Sequence, residues 1–410
     1  MLEADKILML VSSTLIICYV SGLIYSKTRI PDVLWALGFG IILGPVLGYY
    51  DATLFTELMP LMSTLALIII LFEAGINVDI GLLVRTIGKT TILSITTIFT
   101  IIITVGGLLS IVMPTTFSLL QGMLLGTMIA SPCTIACFGI LDGVERQISN
   151  IGNTRIMLMM ESVIADPISI ITAISLIRMI MQPDISIVES VQEITFIFIF
   201  ALGFGFLVGA LWAEILHRTR DRPFNYMITL AILLPTYILA EMIIGHGGGP
   251  IAVLIFGLTI ANYNYITKKV RISRNLTIDG HKLREIHEEI TFFIKSFFFV
   301  FIGITAIISL EYVLLGLGLF ALIQSMRYGI VTVIGRILRF SQQERVLVRV
   351  IFALGLPAFV ISQLPTLFDP EKQYFLNPRI YTNLTMPIVL GTILFSALVG
   401  PVIAKRQLNM

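Results

Sequence analysis

Charge is what this sequence has least of. Only 13% of its 410 residues are Asp, Glu, Lys or Arg, against 57% hydrophobic, and soluble domains carry about 25% charged residues. No soluble core could absorb so much apolar surface. An excess of one sign is also missing: the net charge is +2, which points to neither nucleic acid nor an acidic partner. Cysteine is nearly absent. Cys18, Cys133 and Cys137 all fall in apolar runs, which excludes a disulfide framework or a cysteine metal site. A nucleophile–base set and a nucleotide-binding loop are lacking too, so no enzyme activity, cofactor or nucleotide is expected. The glycine-rich stretches GFGIILG (38–44) and GFGFLVG (203–209) lie inside apolar runs with no preceding strand, where close helix packing through small residues is the simpler reading. The opening MLEADK has no basic n-region or cleavage site, so the first apolar run reads as a retained span. The last run is followed by no segment long enough for an appended regulatory module.

Long apolar runs are what the chain does have. Hydropathy predicts thirteen helices, covering roughly 7–26, 31–50, 57–76, 90–113, 117–141, 155–180, 190–216, 224–244, 249–265, 288–309, 312–335, 346–365 and 383–404. Each is near the ~20 residues that cross a bilayer core. The fold class is therefore an all-α polytopic membrane protein whose immediate partner is the lipid bilayer. An odd number of spans puts the termini on opposite sides. Of the 27 Lys and Arg, 21 fall after odd-numbered spans, and the opposite side holds Lys6, Arg178, Lys372 and Arg379. The positive-inside rule then places the N-terminus outside and the C-terminus in the cytoplasm, across a plasma (cell inner) membrane.

The remaining two basic residues lie inside predicted spans, and intramembrane charges are functional candidates by default. The set is Glu73, Glu161, Asp166, Glu241, Lys295 and Arg327. Glu73 and Glu241 sit near span ends, where headgroup contact explains them. Lys295 lies two turns into its span and either snorkels to the surface or takes part in function.

Glu161 and Asp166 share the middle of one helix, in MLMMESVIADPISI. Ser162 and Asp166 are four apart and lie on one stripe, with Glu161 and Ala165 on the next. Pro167 cannot donate a backbone hydrogen bond, which frees the carbonyl of Val163. Carboxylate, hydroxyl and freed carbonyl are hard oxygen ligands suited to a dehydrated alkali cation. A buried guanidinium needs a partner, so Arg327 is expected to neutralise one acid and leave the other to bind either a proton or a cation. Competition of those two ligands for one carboxylate is the simplest antiport mechanism.

Two spans carry internal breakers, Ser131-Pro132 in GTMIASPCTIACFG and Gly355 with Pro357 in FALGLPAFVIS. One such kink is common in membrane helices. Two in comparable settings suggest an inverted repeat of spans 4–6 and 11–13, with the binding site at the interruptions.

These residues resemble the cation:proton antiporter superfamily, specifically the NhaP-like sodium/proton antiporters related to animal sodium/proton exchangers. The pieces that carry the resemblance are LFEAGINVD (71–79), ESVIADP (161–167), GPIAVLIFGLTIAN (249–262), FFFVFIGI (297–304), MRYGIVTV (326–333) and GLP (355–357). They recur in order along nearly the whole chain. The resemblance implies thirteen helices in two inverted repeats, with crossed, partly unwound helices at Ser131–Thr134 and Gly355–Pro357. It further implies an ion-binding core of spans 4–6 and 11–13 (about 90–180 and 312–404) and a dimerisation and linker part of spans 1–3 and 7–10 (about 7–76 and 190–309), moving as an elevator in a homodimer. By the same resemblance Asp166 is the ion-binding aspartate, Ser162 a ligand hydroxyl, Glu161 the preceding glutamate and Arg327 its partner. That glutamate–arginine pair accompanies electroneutral exchange in the family.

Two positions depart from the family pattern: Ala165 where Asn is usual, and Ala130-Ser131-Pro132 where Thr-Asp-Pro is usual. One negative charge and one polar tie are gone, so weaker binding of strongly hydrated cations is expected. The leading reading is a sodium/proton antiporter, with lithium or potassium as other cargo. A potassium/proton antiporter is the same-class alternative, and a transport-inactive or channel-like relative with a degenerate site is the different-class one.

Overall fold

The structure is a computed structural model and describes residues 3–28, 32–78, 80–133, 136–137, 140–141, 152–182, 187–219, 225–245, 247–269 and 280–408. Among these residues every regular element is helical. That is what lipid demands, because a backbone without water must satisfy its own hydrogen bonds. The order is α1 (Glu3–Thr28), α2 (Asp32–Ile41, continued by a π turn over Ile42–Val46), α3 (Ala52–Asn77), α4 (Ile80–Val112), α5 (Leu119–Met128) and α6 (Gly152–Met181). Then come α7 (Ile187–Arg218), α8 (Asn225–Ile244), α9 (Gly248–Ala261), the short α10 (Tyr263–Lys269) and α11 (Gly280–Thr305). The last elements are α12 (Leu310–Ile337), α13 (Gln342–Val350), α14 (Leu356–Phe368) and α15 (Arg379–Leu394), which runs through a π turn (Phe395–Val399) into α16 (Gly400–Gln407).

Seven of these helical stretches are long and apolar enough to cross a membrane, and five shorter apolar ones accompany them. With the apolar half of α11 they account for the thirteen expected runs. The fifth and twelfth runs are the interrupted ones. Capping boxes set two helix starts: Ser118 with Gln121 opens α5, and Ser341 with Glu344 opens α13, each satisfying amides that a helix start leaves open.

The chain divides into two compact units, Met1–Ser63 with Gly88–Leu176 and Phe293–Met410, and Thr64–Ile87 with Ile177–Phe292. In the first, α2 and α11 approach so closely that a Cβ on Gly40 would stand 2.3 Å from the Val300 carbonyl, and one on Gly303 2.4 Å from that of Leu37. Fully buried Phe299 and Phe359 meet edge to face at 5.3 Å. In the second unit α7 and α9 do the same, since a Cβ on Gly205 would lie 2.4 Å from the Ala252 carbonyl. Gly40 and Gly205 come from the two glycine-rich stretches, which are packing surfaces as their setting predicts. Glu241 holds the start of α9, accepting from the amides of Gly247 (2.8 Å) and Gly249 (2.9 Å). It is a helix cap rather than a headgroup contact. Asn262 ties α9 to the α3–α4 connection, donating to the Val78 carbonyl at 2.6 Å and accepting from Ile80 N at 2.8 Å.

Within the first unit, the break that follows α5 meets the break between α13 and α14. The two interrupted helices cross.

Candidate ion-binding site

The crossing is built from backbone that has left the helix. α5 ends at Met128, and the chain from Ile129 to Cys133 is irregular around Pro132. Opposite it, α13 ends at Val350 and residues 351–355 are unwound before α14 resumes at Leu356. Cys133 N donates to the Ala353 carbonyl at 2.8 Å, which joins the two breaks directly. Gly355 makes the approach possible, because a Cβ there would stand 2.6 Å from Cys133 Sγ and 2.7 Å from its Cβ. The amides released by unwinding find side chains: Phe352 N donates to Ser396 Oγ and Leu354 N to Thr392 Oγ1, both at 3.2 Å. Both α5 and α13 end at the crossing, so their last carbonyls bring partial negative charge there.

Asp166 on α6 reaches this crossing. Its Oδ1 accepts a hydrogen bond from Ser131 Oγ, in the first break. Its Oδ2 accepts from Ser162 Oγ at 3.2 Å, one helical turn back. Asp166, Ser131 and Ser162, three of the five residues expected at the ion site with Glu161 and Ala130, are therefore together. Asp166 is half-buried, while Ser131, Ser162 and Ala165 are buried. Ala130 is fully buried beside Ser131 in the break and has only its backbone to offer a ligand. Pro132 is buried in the same break, and Thr134 lies outside the described residues.

Glu161 is engaged separately. Arg327 takes both of its oxygens in a two-pronged pair, Nη1 to Oε1 and Nη2 to Oε2, the latter at 2.7 Å. The guanidinium is completely buried and well provided with partners. Nε donates to the Val348 carbonyl at 3.0 Å, Nη1 to Thr97 Oγ1 at 3.4 Å, and the group lies 5.0 Å from the Phe352 ring centre. A planar fork matched to a carboxylate is the arrangement in which a buried charge pair is best tolerated. Pro357 lies in the first turn of α14, where a missing amide hydrogen costs nothing. Lys295 is half-buried on α11.

Thr97, Val348, Thr392 and Ser396 were not among the residues expected from sequence. Thr97 is one of three buried hydroxyls on α4, with Thr90 and Ser94, and neither it nor the Val348 carbonyl carries a mark of its own in the sequence. Cys133 and Cys137 both meet the second break, Cys133 N donating to the Ala353 carbonyl at 2.8 Å and Cys137 Sγ standing 3.9 Å from the same oxygen.

The arrangement offers one carboxylate dressed by two hydroxyls beside unwound backbone, and a second carboxylate already neutralised. The family model described as sodium/hydrogen exchanger, transmembrane, matches residues 12–409. The structure of the sodium proton antiporter MjNhaP1 from Methanocaldococcus jannaschii at pH 8 is similar over 100% of both chains, with a TM-score of 0.79 and 19% identity. An electron-microscopy structure of the same antiporter gives a TM-score of 0.68 at 20% identity, over 100% of this chain and 98% of that one. No curated protein sequence matches. At such identities the two structures speak for the fold alone, while the family model follows the sequence itself along nearly its whole length. The chain belongs to the transmembrane sodium/hydrogen exchanger family.

Proposed function

We propose that this protein exchanges sodium for protons, one for one, with the two ions competing for Asp166. The observation that carries the reading is the unequal treatment of the two acids on α6. Glu161 is held in the fork of Arg327, whereas Asp166 accepts from the hydroxyls of Ser131 and Ser162. A hydroxyl donates one hydrogen bond and keeps lone pairs. The same two serines can therefore donate to a carboxylate, accept from a carboxylic acid, or offer oxygen to a cation. One carboxylate neutralised either by a proton or by a monovalent cation moves no net charge per cycle, which makes the exchange electroneutral. Alternating access is assigned to an elevator-type displacement of the elements that carry the crossing, in a homodimer with a cytoplasmic C-terminus.

The test is an imposed proton gradient in proteoliposomes, dissipated on addition of sodium, lithium or potassium in turn. Sodium is expected to collapse the gradient, at a rate unchanged when the membrane potential is clamped. Asp166→Asn is expected to abolish the effect. Full exchange by that variant would sink the assignment of Asp166, and dissipation by potassium alone would move the cargo to that ion.

A further inference from the structure

Away from Asp166, one cavity in the first unit collects polar groups that the exchange mechanism does not use. About 40 Å³ of space lies among Thr56 on α3, Thr305 on α11, Gln363 on α14 and Arg379, Thr382 and Asn383 on α15. That is room for a few water-sized groups at most, since a single water needs roughly 10–15 Å³ on this measure.

The charge balance of the cavity is one-sided. Arg379 is the first residue of α15, and no acidic residue stands in that helix's first turn. The Ile380 and Tyr381 amides are taken by the carbonyls of Asn377 and Pro378, yet the dipole still makes a helix start partially positive, so a cation there has the unfavourable sign. The Arg379 guanidinium donates from Nη2 to the Thr56 hydroxyl at 2.8 Å, a neutral partner. No ion pair to it is found among the described residues. Asn383 is only 6% exposed and turns its Oδ1 to the Ile307 amide at 3.2 Å. Its Nδ2 donor is left without a protein partner among the described residues, on a side chain that lines the cavity. Gln363, 5% exposed, donates from Nε2 to Thr382 Oγ1 at 2.6 Å, so its carbonyl forms an accepting wall.

The Arg379 guanidinium and the Asn383 side chain thus line a space the size of a small ion that has no acidic residue among its lining side chains. Neither donor is sealed off without a partner, so both stay open to a ligand in that space. We propose that this cavity binds one small monovalent anion of halide size, seated on the Arg379–Asn383 side and turned away from the Gln363 carbonyl. Bound there, the anion links the start of α15 to α3 beside the Arg379–Thr56 bond. α15 and the π turn after it also supply Thr392 and Ser396, which hold the unwound segment of the crossing, so occupancy stabilises the fold around that segment.

Thermal unfolding of the detergent-purified full chain tests this, in sodium chloride, bromide or gluconate at equal sodium concentration and ionic strength. A saturable rise in Tm is expected with chloride and bromide, none with gluconate, and none with any anion in Arg379→Gln. Equal Tm in all three salts would overturn the proposal and leave water as the occupant. Because Arg379→Gln removes a structural bond as well, equilibrium dialysis of radiolabelled chloride against the unaltered chain gives an independent measure. One saturable site per chain is expected. No saturable binding, or binding that persists unchanged in both Arg379→Gln and Asn383→Leu, would equally overturn it. Asp166→Asn should keep the chloride-dependent shift, which separates failure of this site from failure of the exchange assignment.

Discussion

At the scale of single residues, two hydroxyls and one buried ion pair carry the argument. A hydrogen bond to a charged group contributes about 1.5–3 kcal/mol, and about 1.4 kcal/mol is tenfold in affinity. Ser131→Ala is therefore expected to weaken apparent sodium affinity by roughly tenfold or more, read as the half-maximal concentration for gradient dissipation. Ser162→Ala should weaken it less, its bond to Asp166 being the longer one. Unchanged affinity in both would remove the serines from the ion path. For the pair, removing one partner leaves a buried charge uncompensated, at a cost of about 3–5 kcal/mol. Arg327→Met or Glu161→Leu alone should lower Tm sharply, and the double variant should recover most of the loss. A double variant as unstable as the sum of the singles would show that the two residues are not coupled. The spacing of Ser162 and Asp166 made their bond legible in the sequence, and the need to compensate a buried guanidinium made the Arg327 pair legible. Thr97 and the Val348 carbonyl were not. Thr97 lies 230 residues from Arg327, and a threonine or a backbone carbonyl is too common in membrane helices to mark itself.

At the scale of elements, the crossing depends on space. Gly355 has φ −160° and ψ −142°, an extended backbone open to any residue, so the requirement for glycine comes from Cys133 packed against it. Gly355→Ala is expected to push the two breaks apart, with exchange lost and Tm lowered. Adding Cys133→Gly removes both clashing atoms and should restore part of each property. If Gly355→Ala alone behaves as the unaltered chain, the crossing tolerates more separation than this packing allows. Proline and glycine located both interruptions in the sequence, though not their extent. In the second interruption the unwound residues 351–355 are Ile-Phe-Ala-Leu-Gly, four of them apolar and ordinary in a helix. Pro357 begins the next helix rather than breaking the last one. Unwinding is stabilised instead by the hydroxyls of Thr392 and Ser396 and by the amide of Cys133, partners that no local pattern announces.

At the scale of the whole molecule, family membership makes the chain a cation/proton antiporter of the membrane rather than an enzyme. Composition alone dictated a helical membrane bundle, since apolar runs of this length satisfy their backbone in no other open form. The grouping of residues 1–63 with 293–410 was not legible in the same way, because it arises from contacts between helices far apart in sequence. Orientation rests on the distribution of 21 against 4 basic residues in the connections, with each cytoplasmic Lys or Arg resisting translocation. A fluorescent protein fused after Met410 is expected to fold and fluoresce in cells, and alkaline phosphatase at the same point to stay inactive. An active phosphatase fusion would invert the chain. The same measurement assigns a side to the Arg379 cavity, because α15 begins at the connection that follows the twelfth span. With the C-terminus inside, that connection faces outward, and external rather than cytoplasmic chloride is the anion that reaches Arg379. Chloride added outside right-side-out vesicles of this topology should then slow thermal inactivation of exchange, and chloride loaded inside should not.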